Sequence, residues 1–217
     1  SHNHWDHIQG FPFFAPIYQE SREINIYPGL TQLNEPDQIL NQMEGSLFPV
    51  PKSALKSAIN LIELPAAQNR FTIGSATITR LAMNHPGSGS AYCIKADGVK
   101  IAYITDNELY PPYKKETDFL DFAKFADNAD LLIHDAQYML SDMPTKNGWG
   151  HSVAEEAVKL AMASHAKQLA LYSHDPERTD DDIDDVVKHC NDYVTVAEST
   201  LHVFASSEGQ TLDFSKA

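Results

Sequence analysis

Cysteine is nearly missing: Cys93 and Cys190 are the two in 217 residues, and they form no C-x-x-C pair. Neither a disulfide framework nor a thiolate zinc site is indicated, so a reducing compartment, the cytoplasm, is the expectation. Basic residues are also scarce, 16 Lys and Arg against 30 Asp and Glu, leaving a net charge of -14. That field opposes a long polyanion gripped through many phosphates, so extended nucleic acid is not an expected partner. No apolar run approaches the roughly 18 residues that span a bilayer, and no signal-peptide pattern is visible, so no membrane partner is expected either. There is no internal repeat and no low-complexity tract. The chain also opens without Met, inside its most informative motif, which predicts a native N-terminus upstream of Ser1.

What is present suffices for a substantial core: 42% of the residues are hydrophobic, and 217 residues fit a single layered domain spanning 1–217. Ile8 to Tyr18 is apolar and aromatic, with Pro12 and Pro16 limiting helix to short pieces; burial behind the opening loop is expected. Glu23 to Tyr27 alternates like a strand, and Asn34 is placed to cap a helix ending at Gly45. Ser46 to Ser57 reads as a connecting loop. A meander of short strands follows: 61–64, 70–73, 76–83, 91–96 and 100–105. Then helices at 116–126, 153–164 and 180–193 alternate with strands at 130–135, 168–172 and 201–205. Ser152 with Glu155, and Thr179 with Asp182, stand at capping-box spacing. The acidic run from Asp180 to Asp185 fits a solvated helix N-terminus rather than a calcium loop. Sheets with helices outside them make the expected class a layered α/β fold.

The first seven residues, Ser-His-Asn-His-Trp-Asp-His, carry three imidazoles and a carboxylate. Each would be costly to bury unpaired, and a metal removes that cost. Alternation predicts His2 and His4 on one side of an extended segment, with Asp6 and His7 turned toward a second ion. Three later residues end predicted strands, where a loop can project a side chain into a shared cleft: His85 before Pro86-Gly87, Asp106 after Thr105, and His174 before Asp175-Pro176. With the opening motif they would complete two sites about 3.5 to 4 Å apart, of the type that clamps an attacking water and a leaving oxygen. A His-rich, mixed N/O set suits zinc first, with manganese or iron as alternatives.

This order of motifs, H-x-H-x-D-H, then Asn84-His85-Pro86-Gly87, Thr105-Asp106 and Ser173-His174-Asp175-Pro176, resembles the metallo-β-lactamase superfamily. It most resembles the branch holding ribonuclease Z and small phosphodiesterases. The resemblance implies an αββα sandwich with the site at one edge of its two sheets. It implies one metal on His2, His4 and His85, a second on Asp6, His7 and His174, and Asp106 bridging. Family members carry strands and a glycine-bearing loop ahead of the first motif; this sequence has none of them, so the sandwich is expected to lack its N-terminal strands. Leu132-Ile133-His134-Asp135-Ala136 and Gly150-His151-Ser152 resemble two further segments of the ribonuclease Z branch. There they form a His-carboxylate pair at the scissile phosphate, implying His151 as proton donor oriented by Asp135. His151 also precedes a predicted helix N-terminus, which favours an anionic phosphate. His134 reads as structural, and His165, His189 and His202 as ordinary residues without partners.

The expected function is therefore a dinuclear metal-dependent hydrolase, a phosphodiesterase for a small or cyclic diester. In that expectation Asp6 also orients the nucleophile or takes its proton, and a homodimer is left open. Thioester or lactone hydrolysis, as in glyoxalase-II-like relatives, is one alternative. That chemistry has no need of the His151 and Asp135 pair. A ribonuclease Z-like endonuclease is the other, and the acidic balance weighs against it. A noncatalytic metal-binding domain is a further reading, opposed by the intact set of ligand positions.

Overall fold

Strand-prone runs of the chain pair in the order in which they are met. The computed structural model describes residues 1–30, 37–65 and 67–214, in two compact units: residues 1–69 with 87–90, and residues 70–86 with 91–217.

In the second unit, β3 (Arg70–Ile73), β4 (Ala76–Ala82), β5 (Ser90–Ala96), β6 (Val99–Ile104), β7 (Leu131–Asp135), β8 (Gln168–Tyr172) and β9 (His202–Ala205) form one seven-stranded sheet in sequential order. β3 with β4, and β5 with β6, are antiparallel. Asp97 and Gly98, both at positive φ, close the second hairpin in the conformation that a two-residue turn requires. From β6 onward the pairing is parallel. Parallel neighbours need crossovers, and helices supply them: α3 (Phe119–Ala126), α4 (Ala154–Ala163) and α5 (Asp180–Val196). α4 packs against β7, β8, α3 and α5, making one helical layer. Its buried stripe of Ala154, Ala157, Val158, Leu160 and Ala161 meets Leu132, Leu169 and Leu171 of the sheet. The small alanines let helix and sheet approach closely, and this face forms the core. The layered α/β expectation is met here.

The first unit is poor in regular structure. It holds α1 (Trp5–Ile8), a parallel pair of β1 (Glu23–Ile26) with β2 (Ala58–Leu61), and α2 (Gln38–Asn41). The Asn34 cap lies outside the described residues, and the helix expected to run to Gly45 ends at Asn41. The proline-limited segment does break into short pieces, 3-10 turns at Phe11–Phe13 and Ala15–Tyr18. Its burial is partial: Ile8 and Ile17 are inside, whereas Phe13 and Phe14 are exposed.

Three local expectations fail. The strand expected at 61–64 lies at 58–61, because β2 takes its register from β1, with Ile24 opposite Ile59. α3 begins at Phe119 instead of Glu116: the N–H groups of Glu116 and Thr117 both donate to the Asn84 side-chain oxygen and are held in a turn. Ser152 is not a helix cap; Val153 occupies that position with no side-chain cap, and the Ser152 hydroxyl donates inward to the Asn107 carbonyl at 2.5 Å. The Thr179 and Asp182 capping box does form, at the head of α5 and its solvated acidic turn. Among the described residues, no helix is long and apolar enough to cross a membrane.

Candidate metal and catalytic site

In the first unit, the opening residues are extended as far as His4 and then turn into α1, the His7 N–H donating to the His4 carbonyl. This bend gathers the imidazoles. The rings of His4 and His7 lie 4.4 and 4.2 Å from that of His2, which is buried. The Asp6 carboxylate, its side chain 72% exposed, reaches His7 Nε2 at 3.2 Å. Gly87 completes the loop at φ +85°, where a Cβ would stand 2.7 Å from His4 Nε2; only glycine leaves that imidazole its room.

In the second unit, three of the expected residues sit just past strand ends. Asp106 follows β6 in the left-handed conformation, φ +49°, which Asp tolerates better than most residues. Its Oδ2 accepts the Thr105 hydroxyl at 2.5 Å. Asp135 ends β7 fully buried: Oδ2 is 2.6 Å from His151 Nδ1, and Oδ1 accepts the N–H groups of Ser152 at 2.8 Å and Gln137 at 3.3 Å. Asp106, Asp135 and His151 each place a ligand atom within 4.8 Å of the others. Burial acts first on His151, lowering it, but the Asp135 hydrogen bond and charge outweigh that, and the net shift is upward. With Nδ1 committed to Asp135, Nε2 is the atom free to move a proton.

His85 follows β4, and its ring lies 5.5 Å from that of His151. Its Nδ1 is 2.8 Å from the Gly150 carbonyl. A carbonyl only accepts, so the proton is on Nδ1 and the lone pair on Nε2, the tautomer that a metal ligand needs. His174 follows β8, with Nε2 3.2 Å from the Ser206 carbonyl, which by the same argument leaves its lone pair on Nδ1. The structure thus brings Asp106, Asp135 and His151 together with the His85 ring 5.5 Å from that of His151, while His174 belongs to none of the groups of prospective ligands among the described residues. His134 is structural as expected. Fully buried, it has Nδ1 2.6 Å from the Asp135 carbonyl and Nε2 3.5 Å from the Asn107 amide, and desolvation pushes it down to about 4. His165, His189 and His202, expected to lack partners, have them: Asp127, Glu155 and Phe204.

Several residues with a part in the site carry no signal in the sequence. The Glu108 carboxylate accepts the N–H groups of Gly148 at 2.8 Å and Gly150 at 2.9 Å, fixing the loop that presents His151. Asn84, buried next to His85, uses its whole amide: Nδ2 donates to the Glu108 and Thr117 carbonyls, and Oδ1 accepts from Glu116 and Thr117. A run of polar residues after an apolar strand, Thr105 to Glu108, was the one available hint of Glu108. The donor set of imidazoles with carboxylates, two imidazoles held in a defined tautomer, fits a borderline divalent ion such as zinc.

A family model described as a beta-lactamase superfamily domain matches residues 1–174. A ribonuclease Z of Thermoplasma volcanium is 37% identical over 83 residues, 38% of this chain and 24% of that protein. One of Picrophilus torridus is 34% identical over 89 residues, 39% of this chain and 26% of that protein. The chain thus matches about a quarter of the length of these relatives. Among solved structures, the metallo-beta-lactamase fold protein YhfI of Bacillus subtilis superposes with a TM-score of 0.68 at 24% identity, over 97% of this chain and 73% of that one. The short form of human tRNase Z gives 0.64 at 19%, over 98% and 76%. A diphosphatase of the PhnP family gives 0.63 at 15%, over 98% and 69%. The likenesses to solved structures establish the fold.

Proposed function

The chain belongs to the beta-lactamase superfamily, and on that premise we propose that it is a metal-dependent hydrolase of small or cyclic phosphodiesters. The observation that carries the reading is the pair of Asp135, fully buried, and His151, partly buried, 2.6 Å apart and beside Asp106. A thiolate leaves a thioester without needing such a donor, whereas an alkoxide departing from phosphorus is a poor leaving group until protonated.

In this proposal His2, His4, His85, Asp6, His7, His174 and Asp106 are the residues that would hold divalent ions. Bound there, zinc ions supply Lewis acidity toward the phosphoryl oxygens and lower the pKa of water. The chain's own residues do the rest. Asp6, exposed at the mouth of the loop, takes the proton of the attacking water. As water oxygen bonds to phosphorus, the bond from phosphorus to the leaving oxygen breaks, and His151 delivers its Nε2 proton to that oxygen. Asp135 holds the ring in place and stabilises its charged form before transfer. The net charge of -14 favours a compact substrate over an extended nucleic acid.

A second reading, an RNA endonuclease, is favoured by the ribonuclease Z relatives. One experiment separates the readings: metal analysis of the purified chain, with hydrolysis assays on 2′,3′- and 3′,5′-cyclic nucleotides, an aryl phosphodiester, a structured RNA and a thioester. The expected result is about two ions per chain and turnover of the small diesters. Thioester turnover that survives His151→Ala, with no diester turnover, would overturn the proposal; cleavage confined to the structured RNA would favour the second reading.

A further inference from the structure

Beside His151 the second unit holds a half-open cavity of about 260 Å³. Tyr110, Leu140, Met143 and Pro144 give it apolar walls, and Glu156, in the first turn of α4, contributes a carboxylate. The volume is below the range of about 300 to 1,000 Å³ usual for drug-sized ligands, so the space suits one ring with its substituents. Among the described residues, no lysine or arginine lines it. Glu108 also reaches the cavity, but its two oxygens are taken by the amides of Gly148 and Gly150. The charges around Glu156 are mixed, one lysine and two acids. Burial raises its pKa first; Lys159 works against that, and Glu108 and Glu155 add to it.

Location gives the cavity its meaning. If His151 hands its proton to the leaving oxygen, the group attached to that oxygen lies beside the imidazole, which itself forms part of the cavity wall. We propose that the cavity is the leaving-group subsite and that Glu156 sets its preference for a compact, ring-bearing alcohol that is uncharged or cationic. An alcohol carrying a further anionic group brings like charge against Glu156, with no lysine or arginine on the walls to offset it. This inference rests on His151 acting as the proton donor, and it adds a substrate class: diesters whose departing half bears no second phosphate or carboxylate.

The test uses the zinc-loaded full chain and two methyl phosphodiesters, one of 4-hydroxybenzamide and one of 4-hydroxybenzoate, in which the phenol is the better leaving group. They differ at the far end by a neutral amide against a carboxylate. The wild type should favour the amide in kcat/KM by about tenfold, the size of one screened like-charge contact. Glu156→Gln should narrow that ratio, and Glu156→Lys should invert it. Comparing ratios between proteins cancels the intrinsic reactivity of the phenols. The binding readout is an NMR titration of the Met143 methyl with each free phenol: 4-hydroxybenzamide should shift it at about tenfold lower concentration than 4-hydroxybenzoate. Ratios that are the same in all three proteins, or a Met143 methyl that responds to neither phenol, would overturn the subsite. Absence of diester turnover would instead overturn the phosphodiesterase reading and the leaving-group role, and the preference at Met143 would then decide the chemistry of the cavity alone.

Discussion

Gly150 and His85 fix each other through a single peptide unit. The Gly150 carbonyl lies 2.8 Å from His85 Nδ1, and a Cβ added to Gly150 would fall 2.3 Å from the same nitrogen. The contact that sets the His85 tautomer is thus available only to a residue without a side chain. The same glycine donates its N–H to Glu108 and is followed by His151, so one loop position couples a proposed ligand to the proposed proton donor.

Gly150→Ala should therefore destabilise the chain by more than a left-handed alanine alone. At φ +87° the new Cβ would also meet Pro86 Cδ at 2.4 Å. Strained conformation and overpacking together should cost about 2 to 4 kcal/mol. Gly209 is the internal control, with φ +76° and nothing within 4 Å of an added Cβ. Gly209→Ala should cost about 1 kcal/mol. Urea unfolding of both variants measures the difference, and equal losses would contradict the steric contact.

Asp135→Asn tests the paired proton donor. Oδ1 of the side chain keeps its place against the N–H groups of Ser152 and Gln137, so an amide must turn its NH₂ toward His151. That donor facing Nδ1 forces the imidazole proton onto Nε2 and removes the charge that favours the cationic ring. Diester kcat should fall by about a hundredfold or more, and His151→Ala by about 10² to 10⁴. The double variant should lose little beyond His151→Ala, because the two residues act as one unit. Additive losses in kcat would count against the pair.

How far the sequence reached follows from the range of the forces involved. Periodicity and turn signals are local, so the strands from β3 to β9 are legible to within a residue and the helices between them to within three. The register of β2 is set by β1 more than thirty residues away, and it was missed. The start of α3 was lost for the same reason, since Asn84 holds the preceding backbone across 32 residues. In the site, residues that could bind metal stand out because imidazoles and carboxylates cluster at strand ends. Glu108 and Asn84 do not, because their role is to satisfy backbone amides brought near only by folding.

His134 predicts how stability depends on pH. Its folded pKa is about 4 against an ordinary value of 6.5, because burial disfavours the cation by more than the Asp135 carbonyl, accepting from Nδ1, favours it. The unfolded chain therefore binds a proton between these values that the folded chain refuses. The contribution is complete above pH 6.5 and is lost as pH falls toward 4. Between pH 7.5 and 5 this group should remove about 2 kcal/mol. His134→Gln should start less stable but lose correspondingly less over that interval. Chemical denaturation at the two pH values gives the comparison, and parallel losses in both proteins would reassign the effect.

Ser152 and Thr179 occupy the same kind of sequence position, a hydroxyl followed three residues later by an acid, yet their alanine variants should differ. Thr179 caps α5 at the surface, its Oγ1 accepting from the Asp182 N–H at 3.3 Å. Water can replace that bond, so Thr179→Ala should cost about 1 kcal/mol. The Ser152 hydroxyl is fully buried, donating to the Asn107 carbonyl at 2.5 Å and accepting the Leu109 N–H at 3.2 Å. Its removal strands two backbone groups where water does not reach, so Ser152→Ala should cost about 2 to 4 kcal/mol. Those groups flank Glu108, which holds the His151 loop, so the loss should also reach the reaction: diester kcat should drop in Ser152→Ala and stay unchanged in Thr179→Ala. Equal stability losses with unchanged kcat in both would mean that the hydroxyl of Ser152 acts as an ordinary cap and that the turn from Asp106 to Leu109 holds its shape without it.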